Sequence, residues 1–196
     1  MALKIKVKVG NISNLSDARY CAGMGTDMLG FTVARAAEGF IDPKTYQDIR
    51  GWVSGPAIVA EACGVEADEA SWIVENYLPD YLAIDSAQAN HFAAETSLPL
   101  IINLRAPYGE AARALDEIKE KVAYVVIDHD ALRAGALQLL AARYNILLAV
   151  DNVALLADID TLKVAGIAIN GSKEIRPGLK DYDFLEAIFE QLSVAD

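Results

Sequence analysis

Four short apolar runs in this chain end on an acid: AIVAE on Glu61, YLAID on Asp85, YVVID on Asp128 and LLAVD on Asp151. Carboxyl groups gathered at one site suit general acid–base chemistry, in which one group gives a proton and another takes one. Cys63 stands two residues after Glu61 and offers a thiol as a second kind of base. Asn103 and Arg105 share one parity after LII and would present an amide and a guanidinium together. The first run, KIKVKVGN, alternates Lys4, Lys6 and Lys8 with Ile5, Val7 and Val9 before Gly10 and Asn11. Lys8 is the cation nearest its end, and a buried ammonium needs an acid beside it. Four carboxylates on different strands could also hold Mg²⁺ or Ca²⁺. No local ligand spacing supports such a site, so neither a metal nor a cofactor is assigned. His129 follows Asp128 directly, so strand alternation turns it to the opposite face.

These residues need a frame that brings run ends together. Apolar or β-branched runs fall at about 4–10, 27–33, 56–62, 81–85, 98–104, 123–129, 146–151 and 165–170. Between them lie segments with helical spacing, among them PKTYQDIRGWV, YGEAARALDEIKEK, VALLADIDTLK and KDYDFLEAIFEQL. Asn14 or Ser16, Asp42-Pro43, and Asp181 or Asp183 supply helix starts. Eight alternating units with no nucleotide-type glycine loop predict a (β/α)8 barrel, with an open doubly wound sheet as the rival. At 196 residues the barrel is small and its loops must be short. Barrel strands are buried on both faces, which explains the lysines: Val7 and Val9 suit the layer beneath the helices, whereas Lys6, Lys8 and Gly10 point inward. The run ends then meet at the C-terminal mouth. Lys8 should lie within ion-pair reach of Glu61, Asp85 or Asp128.

Composition sets the outer bounds. A 54% hydrophobic chain of this length supports a single domain over 1–196. Its net charge of -11 argues against a nucleic-acid or anionic-membrane surface, which needs a positive patch. No apolar run is long enough to span a bilayer, and lysines interrupt the N-terminus where a signal peptide would be apolar. Two distant cysteines in a chain that needs no staple indicate free thiols and a cytoplasmic protein. The expected partner is a small molecule, and a homodimer stays open.

The stretch KVGNISNLSDARYCAGMGTDMLGF resembles the N-terminal motif of the phosphoribosylanthranilate isomerases, a family of (β/α)8 barrels in tryptophan biosynthesis. Lys8, Ile12, Ser13, Asn14, Leu15, Asp17, Ala18, Gly25, Asp27, Gly30 and Phe31 match it identically or closely. VVIDH places Asp128 at the family's catalytic aspartate, and NGSKEIRPGLKD is similar to its closing run through Gly171, Pro177, Gly178, Lys180 and Asp181. The resemblance implies an Amadori rearrangement of an aminoaldose phosphate, with Asp128 as general acid on the ring oxygen. It also implies where this chain departs. The family's catalytic cysteine, which takes the proton from carbon, is Gly10 here, and the glycine after it is Asn11. Gly39 stands where an arginine holds substrate, with Arg35 on the same loop as a substitute. The paired glycines after the seventh strand are Val150-Asp151, and an aspartate there repels a phosphate. Of the phosphate cup only Gly171-Ser172, after Asn170, remains.

Three readings follow. The first is a divergent barrel without the standard isomerase activity that binds or acts on a small molecule, phosphorylated or not, at the mouth. Its candidate ligand-binding residues are Lys8, Asn11, Arg35, Asp85, Asn103, Arg105, Asp151, Asn170, Gly171 and Ser172. The second is a working isomerase with a relocated base, Cys63 or Glu61. The third is a non-catalytic barrel that binds a partner.

Overall fold

The computed structural model describes residues 2–194 except 106, 134, 158, 172, 173, 177 and 178. Eight parallel strands close into a barrel in sequence order: β1 Lys6–Gly10, β2 Met28–Thr32, β3 Ala57–Glu61, β4 Tyr81–Asp85, β5 Leu100–Asn103, β6 Val122–Ile127, β7 Ile146–Ala149 and β8 Gly166–Asn170. β8 pairs back onto β1 over its whole length, Gly10 opposite Asn170. Seven strands lie within the runs that their apolar residues marked, and β6 begins one residue before its run, at Val122. An open sheet is excluded by this closure.

Strand alternation sorts side chains into two layers. Val7, Val9, Leu29, Ile58, Leu82, Ile84, Ile102, Leu148 and Ile167 face outward into the main core with the helices. Met28, Val59, Ala83, Ile101 and Leu147 fill the barrel interior. Below them the rings of Tyr81 and Tyr124 meet edge to face at 6.1 Å. Each fully buried aliphatic side chain contributes about 1.5–3 kcal/mol relative to exposure. The interior plug therefore closes the barrel floor, and polar chemistry is confined to the layer above it.

The helices start where their capping residues direct. Asn14 accepts from the Asp17 N–H ahead of α1 (Leu15–Gly23), and Asp42 accepts from the Lys44 and Thr45 N–H groups ahead of α2 (Pro43–Arg50). Then come α3 (Ala70–Tyr77), α4 (Ala89–Glu95) and α5 (Tyr108–Asp116). The sixth unit carries two short helices, α6 (His129–Arg133) and α7 (Ala136–Leu140), parted at Gly135, whose φ of 77° interrupts a helix. The last, α8 (Asp183–Leu192), begins after Asp181, which accepts from the Asp183 N–H, and buries Leu185, Ile188, Phe189 and Leu192.

Two details differ from the sequence reading. Among the described residues VALLADIDTLK forms no α-helix: a single 3₁₀ turn, Val153–Leu156, opens it, capped by Asn152, and β8 is the next regular element. Asp158, Asp160 and Thr161 break its apolar run too soon for a second turn to bury one face. After β8, a small antiparallel pair, β9 (Glu174–Arg176) and β10 (Leu179–Lys180), lies in a stretch where the sequence marks no strand-forming run.

Candidate functional site

At the C-terminal mouth lies a cavity of about 540 Å³. Lys8, Asn11, Glu61, Cys63, Asn103, Arg105, Asp128, Asp151 and Asn170 all line it. They share the inward parity of their strands or follow directly from it, which is why residues distant in sequence meet there.

Lys8 and Glu61 form its floor. Lys8 Nζ lies 2.5 Å from Glu61 Oε1, and the lysine is only 6% exposed. Glu61 Oε2 accepts from the Asn11 N–H at 2.9 Å, and Thr32 Oγ1 stands 3.5 Å away. Burial alone would push the Glu61 carboxyl upward, but the Lys8 ammonium and these donors outweigh it and hold the group below its ordinary value. Glu61 is thus kept ionised and fully occupied.

The carboxylate reaches this place because β1 and β2 leave room. A Cβ on Gly10 would collide with Glu61 Oε1, and one on Gly30 would lie 2.5 Å from the same oxygen. Glu61 therefore fills the space into which a side chain at position 10 would project. Asn11 turns into the left-handed region, φ 53°, and packs its side chain against Gly39, φ 84°, where any Cβ would strike Asn11 Oδ1. The asparagine and the glycine are a matched pair.

The other acids are spread around the rim. Asp128 Oδ1 accepts from the Ala131 N–H at 2.7 Å, capping α6, and from the Tyr108 hydroxyl at 3.2 Å. Asp85 turns to a neighbouring hollow and pairs with Arg105 at 3.0 Å. Asp151 is exposed at the cavity edge. Cys63 accepts from Asn103 Nδ2 at 3.0 Å, and burial, with Asp85 adding to it, pushes its thiol up to about 11. Such a thiol is protonated at neutral pH and is a poor base.

Arg35 and the end of β8 depart from the sequence assignment. Arg35 does not line the cavity: its guanidinium lies 4.7 Å from the centroid of the Trp72 ring, over a separate hollow. Trp72 at the start of α3 offers a π-face that holds the cation there. Gly171 donates its N–H to the Gly10 carbonyl at 2.7 Å, so that amide is taken. Ser172 lies outside the described residues. His129, expected on the opposite face by strand alternation, lines the cavity beside Asp128 because β6 ends at Ile127 and His129 already opens α6. Thr32, Tyr108 and Glu38 were not singled out from the sequence. Thr32 follows Gly30 on the inward parity of β2 and was legible; Tyr108 reaches Asp128 from a helix start, and nothing in its spacing announces this.

A small (β/α)8 barrel with a polar cavity at its C-terminal mouth is the class that this fold and site define. No family model and no curated protein matches the chain. Among solved structures it is similar to phosphoribosylanthranilate isomerase from Thermotoga maritima, with a TM-score of 0.76 at 15% identity, over 96% of this chain and 98% of that one. The enzyme from Thermus thermophilus gives 0.74 at 21%, again over 96% and 98%. A phospho-2-dehydro-3-deoxyheptonate aldolase from Thermotoga maritima gives 0.67 at 14%, over 96% of this chain and 68% of that one. The likeness read from the first strand and the closing loop thus extends to the whole barrel. A fold shared with an aldolase does not by itself define a reaction.

Proposed function

We propose that this chain is a barrel of the phosphoribosylanthranilate isomerase type that binds or acts on a small polar metabolite at its mouth and does not perform the standard Amadori rearrangement. The observation that carries this reading is the occupied floor: Glu61 stands in the space of the missing side chain at Gly10, already paired with Lys8. A carboxylate held below its ordinary value, with both oxygens accepting, is a weak base toward carbon. Cys63, at about 11, is no better. Asp128 keeps the place of a general acid, but an acid without a base leaves the carbon–hydrogen bond intact.

A second reading has one specific observation in its favour. Glu61 and Asp128 line one cavity, and Glu61 lies where the base of the resembled family would be. A working isomerase would then use Glu61 as the relocated base after substrate displaces Lys8. The activity named for the similar solved structures favours it. Complementation of a strain lacking the isomerase separates the two readings: we expect no growth without tryptophan, and robust growth lost on Glu61→Gln would establish the second. A cytosolic location and a single domain over 1–196 belong to both readings. Self-association also belongs to them, since one of the similar structures is of monomers generated from a dimeric phosphoribosylanthranilate isomerase of Thermotoga maritima.

A further inference from the structure

Among the described residues the charges around the mouth do not balance. The cavity lining carries Glu38, Glu61, Asp128 and Asp151 against Lys8 and Arg105, with the His129 imidazole beside Asp128. Both cations are spent, Lys8 on Glu61 at 2.5 Å and Arg105 on Asp85 at 3.0 Å. Glu38, Asp128 and Asp151 then face one opening with no cationic partner among the described residues. The donors that do reach Asp128 are neutral, the Tyr108 hydroxyl and the Ala131 N–H.

Three backbone donors near the rim are spent as well. The Asn11 N–H goes to Glu61, the Gly171 N–H to the Gly10 carbonyl and the Ala154 N–H to the Asn152 side chain. An incoming anion would meet acceptor oxygens and a negative field focused by the apolar barrel wall. The carboxylates do not converge on a point either: among the described residues no group of three His, Cys, Asp or Glu is placed to hold a metal ion. Acids spaced around a cavity of about 540 Å³ suit a ligand that presents several donors at once.

We infer that the mouth takes a small hydroxylated amine in its protonated form and discriminates against phosphate and carboxylate groups. The ammonium lies toward Asp128 and Asp151, and hydroxyl groups donate to the remaining carboxylate and amide oxygens. This rests on the reading of the mouth as a small-molecule site and narrows it to a chemical class.

The test uses the full chain at low salt, with thermal shift and calorimetry against glucosamine, the open-chain amino alditol glucamine, glucose and glucosamine 6-phosphate. A ligand that binds only the native state raises the unfolding midpoint. The expected order places the two amines first, with glucosamine 6-phosphate weaker by about tenfold or more, a difference of about 1.4 kcal/mol. Added salt should weaken amine binding, because the attraction is screened. Glu38→Gln and Asp151→Asn change exposed side chains, so the fold tolerates them, and each should lower amine affinity several-fold. Tighter binding of the phosphate ester would overturn the inference while leaving the mouth as a ligand site. Amine binding indifferent to both variants would also overturn it, placing the ligand elsewhere. No response to any compound would overturn the inference and count against the mouth as a small-molecule site.

Discussion

Lys8 Nζ and Glu61 Oε1 lie 2.5 Å apart at the floor of the barrel mouth, on strands that are not neighbours. The carboxylate crosses above Gly30 of β2 to reach the lysine on β1, and two glycines make that path possible. One ion pair thus explains a lysine inside a barrel, a glycine at position 10 and an occupied floor beneath the mouth cavity.

Breaking one side of this pair should cost far more than removing both. Lys8→Met leaves Glu61 buried without its cation, and Glu61→Leu leaves the ammonium alone. Each should destabilise by about 3–5 kcal/mol, whereas the double variant should recover most of that loss. Urea unfolding of the four proteins measures the coupling. Additive losses would mean that the two groups do not depend on each other.

Position 10 is closed to side chains while Glu61 is present. Gly10→Cys sets a Cβ against Glu61 Oε1, and also 3.0 Å from Asn170 Oδ1 and 3.1 Å from Lys8 Nζ. We expect a clear loss of stability, of the order of the ~1–3 kcal/mol of overpacked sites. Gly10→Cys should therefore cost less in the Lys8→Met, Glu61→Leu background, where neither the clash with Glu61 nor an orphaned ammonium remains, than in the parent. Equal costs in the two backgrounds would show that the side chains at positions 10 and 61 do not compete for one space.

The pH dependence has a definite sign. Glu61 titrates below its ordinary value of 4.5 in the folded chain. Its contribution to stability is therefore fully present above 4.5 and is lost as pH falls through the lowered folded value. Acid unfolding of Glu61→Gln should lack this component, so its stability should change less than that of the parent over the same interval.

Cys63 should react slowly. A thiol raised from 9.0 to about 11 holds about a hundredfold less thiolate at pH 8. Iodoacetamide labelling of the native chain, followed at Cys63 by mass spectrometry, should rise with pH well beyond 9. A plateau near pH 9 would place the thiol in a less buried setting.

The frame was legible because its signals are periodic. β-branched alternation in KVKV marks a strand, an Asn or Asp before an apolar stripe marks a helix start, and inward parity places Lys8 among acids. The failures have physical causes of their own. VALLADIDTLK carries enough apolar residues for a helix, but its acids come too early to leave a continuous buried face. Arg35 sits on the expected loop, yet a ring on the next helix captures it, and such a tertiary contact leaves no mark in local spacing. The choice of Glu61 over Asp85 or Asp128 as Lys8's partner was also beyond sequence. It depends on two glycines on adjacent strands clearing one path.

Turnover of freshly prepared phosphoribosylanthranilate, followed by the decay of its fluorescence, tests the central claim most directly. A positioned base contributes about 10²–10⁴-fold, or roughly 3–5 kcal/mol of barrier, so its loss should leave the decay at the rate without protein. The account predicts no difference between the parent chain, Asp128→Asn and Glu61→Gln. Robust turnover by the parent, abolished by Asp128→Asn in a folded protein, would contradict it, and its loss on Glu61→Gln would make Glu61 a working base.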